Sequence, residues 1–144
     1  MADDMPAFAR FSPAERLALV TTALALVHHI DHVLRVDNNG WPFWSDVTPF
    51  TYSFLVYAVI AVVWVARGWP RLRVGVAAML ASATLAHVWL DTPAVQYTTW
   101  AARPEANWLA ASSPILGAGA VLLTFLVPLA AVAVFVAFVR NRGV

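Results

Sequence analysis

Apolar positions fall into four long runs separated by short polar or proline-bearing breaks, and no stretch alternates with the period of a strand. The first run opens on Ser12, Pro13, Ala14 and Glu15, the spacing of a capping box with proline at the first helical position. It stays apolar to Arg35, and residues 13–35 as a helix measure about 34 Å, enough to cross a bilayer. Asn38, Asn39, Gly40 and Pro42 break the chain, and Thr48 and Pro49 open a second span over residues 49–66. Arg67, Gly68, Trp69 and Pro70 form a turn into a third span, 72–91, which stops at Asp91, Thr92 and Pro93. Ser113 and Pro114 start the fourth, 114–139, with Pro128 predicted to kink it. Residues 1–11 remain as a flexible or interfacial N-terminus, and Asp3 and Asp4 do not fit the basic start of a cleaved signal peptide.

Composition turns these helices into membrane spans. With 61% hydrophobic and 12% charged residues in 144, the chain has more apolar surface than one soluble core of this size can hide. The expected fold is all-α: a single integral membrane domain, a four-helix bundle running up-down-up-down. Arg10, Arg16, Arg67, Arg71, Arg73, Arg140 and Arg142 fall on the side holding both termini, which is therefore expected to be cytoplasmic. The opposite loops carry only Arg35 and Arg103, with Trp41, Trp44, Trp100 and Trp108 as interfacial anchors. All nine basic residues are arginine, a bias that fits a GC-rich bacterial genome and a multi-pass protein of the cell inner membrane. A net charge of +1 gives no reason to expect a nucleic-acid partner.

The absence of cysteine removes disulfides, thiolate metal sites, iron–sulfur clusters and thiol catalysis. Attention falls on the end of the first span, His28-His29-Ile30-Asp31-His32-Val33-Leu34-Arg35, because ionisable groups in lipid are costly and need partners. At 100° per residue, His28, Asp31, His32 and Arg35 share one face, with Thr21 two turns earlier, while His29 points about 60° away from His32. The third span repeats the spacing with His87 and Asp91. In an up-and-down bundle spans one and three run parallel, so His28 and His32 stand opposite His87 and Asp91 at similar depth. Three imidazoles and a carboxylate are the ligand types of a tetrahedral site, with zinc the default divalent metal and copper or iron also suited to imidazole. Asp31 and Arg35 then orient ligands or take part in catalysis. Tyr57, one turn after Ser53, is a candidate proton donor, and Asn107, Ser112 and Ser113 enter the same face.

Four functions fit this pattern. A metalloenzyme would act on a lipid-like or other apolar small-molecule substrate entering from the membrane lipid, as a hydrolase or an oxidoreductase. A b-type haem protein would use His87 and one histidine of the first span as axial ligands, with Arg35 on a propionate. A metal-free acid-base isomerase or cyclase would protonate a sterol-like or terpenoid substrate beside Trp44, Tyr57, Trp89 and Trp108. A non-catalytic accessory subunit of a membrane complex, or a homo-oligomer, would use the polar residues for packing, with Gly117 and Gly119 suited to close helix contact.

Overall fold

The fold was established from a computed structural model, which describes residues 11–35 and 49–141, with side chains from Leu55 onward in the second stretch. It is all-α, with five α-helices among the described residues: α1 Pro13–Arg35, α2 Pro49–Val65, α3 Pro70–Leu90, α4 Pro93–Ala101 and α5 Pro114–Arg140. A single 3-10 turn, Pro104–Ala106, follows α4. The N-terminal segment with Arg10, the break at Asn38–Pro42 with Trp41 and Trp44, Thr48, the Ser53 side chain and Arg142 lie outside the described residues.

Every one of these helices starts on proline, whose fixed φ suits the first turn and whose missing N–H is not needed there. At α1 the capping box forms: the Ser12 amide donates to Glu15 Oε2 at 3.0 Å and the Glu15 amide to Ser12 Oγ at 3.2 Å. Thr92 and Ser113 cap α4 and α5 by accepting from Val95 and Leu116 amides. The sequence predicts no helix between the third and fourth spans; α4 forms there, opened by Thr92 and Pro93.

Three helices, α1, α3 and α5, are long and apolar enough to cross a membrane, and the Leu55–Val65 part of α2 is a shorter apolar helix. Large apolar side chains point outward along them, among them Leu55, Leu122, Phe125 and Leu129. In water this surface would be strongly unfavourable, whereas lipid solvates it without loss.

Helix α5 packs against α1, α3 and α4, while α2 packs, over a smaller area, against α1 and α3. At one end Glu15 accepts from Arg67 Nε at 2.9 Å and Arg73 Nη2 at 3.2 Å, tying the start of α1 to the turn between α2 and α3. Beside it Ala14, Ala18, Val63, Val74, Ala77, Val134 and Phe138 form the apolar core. At the other end, α4 folds back onto α5 where Gly117 removes a side chain. A Cβ at Gly117 would sit 2.9 Å from the Tyr97 carbonyl oxygen, a backbone atom that cannot turn aside, whereas Gly119 meets nothing within 4 Å. Gly117→Ala is therefore expected to cost about 1–3 kcal/mol as α4 shifts. Gly119→Ala should gain up to about 1 kcal/mol of helix propensity. Thermal unfolding in detergent compares the two; equal effects would remove the close α4–α5 approach as the cause.

A candidate metal centre at the ends of α1 and α3

The polar residues of the bundle gather where α1 and α3 end. His28 and His32 lie one turn apart on α1 and are buried, and His87 reaches them from α3. His32 Nε2 is 3.2 Å from His28 Nε2 and 3.3 Å from His87 Nε2. The rings of His28 and His32 are nearly perpendicular, at 85°, as are those of His28 and His87, at 77°. A neutral imidazole carries one N–H, so one His32 nitrogen cannot donate to both neighbours, and lone pairs converge. A tetrahedral ion with metal–nitrogen bonds of about 2.0–2.1 Å keeps its ligand atoms about 3.3 Å apart. The two distances centred on His32 match that edge, and one ligand atom from each of the three histidines lies within 4.8 Å of the others.

A charged lattice backs the triad. Arg35 is fully buried; its Nε donates to Asp31 Oδ2 at 2.8 Å and its Nη2 to Asp91 Oδ2 at 3.1 Å. The same Nη2 is 3.2 and 3.3 Å from the two nitrogens of the His32 ring. Near-equal distances to both put the guanidinium against the ring rather than on either lone-pair axis. Asp91 Oδ2 is 3.2 Å from His32 Nε2, but Asp91 stands beside the converging set rather than within it. Its amide closes α3 by donating to the His87 carbonyl.

Helix α4 completes the enclosure. Trp100, expected at the interface as an anchor, is 1% exposed instead, and its Nε1 donates to Asp31 Oδ1 at 2.7 Å. Asp31 is thus held through both oxygens. The reason is the turn after Asp91, which sends the chain back to pack along α5. Gln96 Nε2 donates to the Asp91 carbonyl at 3.1 Å, and Thr124 of α5 donates to Gln96 Oε1 at 2.5 Å. The Trp108 amide donates to the Leu34 carbonyl at 2.7 Å, capping the end of α1, while its indole stays exposed.

The remaining candidates lie elsewhere. His29 turns to α2, with Nδ1 2.9 Å from the Tyr57 hydroxyl, so Tyr57 pairs with His29 and makes no described bond to the triad. Asn107 Nδ2 donates to the Thr99 and Ala111 carbonyls, Ser113 caps α5, and Ser112 is exposed. Thr21 returns its hydroxyl to the Leu17 carbonyl. Sequence reasoning missed Trp100, Gln96 and Thr124; the available signal was Thr92-Pro93, a helix start that places Gln96 and Trp100 one turn apart on one face. The triad and its lattice form a buried site with the ligands of a metal centre. No protein-family model, curated protein or solved structure matches this chain.

Proposed function

We propose that the chain is a four-span protein of the bacterial inner membrane, with both termini cytoplasmic, and an enzyme that uses a divalent metal, zinc by preference, on a lipid-like substrate. The observation that carries this reading is the meeting of His28, His32 and His87 nitrogens at metal-ligand spacing, one span's end against another's. Charge supports it. Among the described residues, Arg35 lies between the carboxylates of Asp31 and Asp91, so acidic groups stand beside the three imidazoles. A divalent cation held by the histidines would be favoured by these neighbouring carboxylates. Three histidines are also a ligand set found at catalytic zinc sites, and His28, His32 and His87 would hold such an ion.

In this reading the ion supplies an activated water at neutral pH. The chain does the rest. Asp91, bonded to Arg35 and 3.2 Å from His32 Nε2, would accept a proton beside the triad. Arg35 and Trp100 hold Asp31, which faces the site from the same helix as His28 and His32. Tyr57 with His29 lies one helix face away, toward α2, where it can act on a substrate group entering from that side. A haem fits less well, because axial ligands must face each other across a macrocycle and the His32 and His87 nitrogens are 3.3 Å apart.

Elemental analysis of purified protein tests the reading. Near-stoichiometric metal is expected in the wild type and in His29→Ala, with loss in His32→Ala and His87→Ala. A wild type purified without chelators that carries none, and takes up none from added zinc, sinks it.

A further inference from the structure

One turn below the triad, α1, α2, α3 and α5 line an apolar chamber, part of it open to the surroundings. Its size has a sequence cause: Ala18 and Ala25 of α1, Ala77 of α3 and Ala131 of α5 all line it, so facing helices present methyl groups where larger side chains would interdigitate. Threonines do not make it polar. The hydroxyls of Thr21, Thr22 and Thr84 donate to the carbonyls of Leu17, Ala18 and Ala81 on their own helices. Water entering this space would find almost no partner, and native interiors seldom keep such voids empty.

Register ties the chamber to the metal centre. Its upper lining residues, Ala25 and Thr84, each come three positions before a triad histidine, His28 and His87, or about 5 Å along the helix. From Ala18 to Ala25 it runs about 10 Å deeper. Helix α2 lines one wall with Val56, Ile60, Val63 and Trp64, and the partly open chamber can be reached by a membrane molecule. We infer that the chamber holds one unbranched hydrocarbon chain, the tail of the substrate whose polar end meets the triad. The inference rests on the metal-centre reading for the polar end only; the chamber stands on its own lining.

The test uses the full-length protein in vesicles of phosphatidylcholine and phosphatidylglycerol with two photoreactive probes, each carrying a diazirine at mid-chain: a free fatty acid and a phosphatidylcholine. Peptide mapping after illumination should find label on the lining segments 18–25, 77–84 and 127–134, as well as on outward residues outside them such as Leu55 and Leu122. The probe that labels the lining tells whether the chain belongs to a free amphiphile or to a phospholipid. Ala25→Leu with Ala131→Leu should abolish lining label and keep outward label, which also shows that the variant is folded and inserted; the milder single change Ala25→Leu should reduce it. Wild-type label confined to outward residues, or lining label unchanged in the double variant, overturns the chamber. Metal content of the same samples reports on the triad alone, so labelled lining without metal would remove the metal reading and leave the chamber.

Discussion

Replacing Arg35 with methionine is expected to destabilise the protein by about 3–5 kcal/mol, a large part of the total stability of a domain this small. The side chain is fully buried and lies between two carboxylates, at 2.8 Å from Asp31 and 3.1 Å from Asp91. Methionine keeps much of the volume but removes the cation, so Asp91, itself fully buried, loses the charge that offsets its desolvation. Asp31 would retain only the Trp100 N–H, a bond worth about 1.5–3 kcal/mol to a charged acceptor. Arg35→Lys keeps the charge but cannot serve two carboxylates and lie flat against the His32 ring together, and should fall between. Adding Asp91→Asn to Arg35→Met should recover part of the loss, since a buried charge that has lost its Arg35 counter-ion disappears. Unfolding in detergent by heat or by denaturant measures all four proteins. A loss below about 1 kcal/mol for Arg35→Met would show that water or headgroups reach the pair, as at a surface.

This residue also shows where the sequence was transparent and where it was not. Helix starts were legible because the chain repeats one local device, proline after a capping residue, at Pro13, Pro49 and Pro114, and local capping needs no tertiary information. The triad was legible because four-residue spacing fixes a common helix face whatever the neighbours do: His28, His32 and Arg35 meet His87 and Asp91 across the bundle. The direction of Asp91 was not. Ligand type made it a fourth metal ligand, but its geometry depends on how two helices converge and on a guanidinium bonded to Asp31 and Asp91 at once. Trp100 was illegible for a related reason. Amphipathic tryptophan suits both an interface and a buried hydrogen bond, and only the fold-back of α4, permitted by Gly117, decides between them. Trp108, expected as an interfacial anchor, is exposed.

Orientation in the membrane should give an all-or-none result, because the chain has no cysteine and a single introduced thiol reports one position without background. Gly68 lies in the turn between α2 and α3, is exposed, and has nothing within 4 Å of an added Cβ, so Gly68→Cys is tolerated sterically. Glu105 is exposed in the 3-10 turn after α4, on the side of α3 where the triad lies. In the proposed orientation, a membrane-impermeant maleimide that reaches the outer face of the membrane in intact cells should label Glu105→Cys and not Gly68→Cys; permeabilising the membrane should expose the second. The physical argument is the placement of exposed arginines, which resist transfer across the membrane. Arg16, Arg67 and Arg71 are exposed on the Gly68 side, and Arg140 ends α5. On the other side Arg35 is consumed by Asp31 and Asp91, which leaves Arg103 as the exposed cation among the described residues there. Burial of Arg35 therefore sharpens the asymmetry beyond a plain count of arginines. The opposite labelling pattern would invert the protein and put the triad near the cytoplasm. Equal labelling of both positions in intact cells would mean that α3 does not cross the membrane, and the four-span arrangement would fall with it.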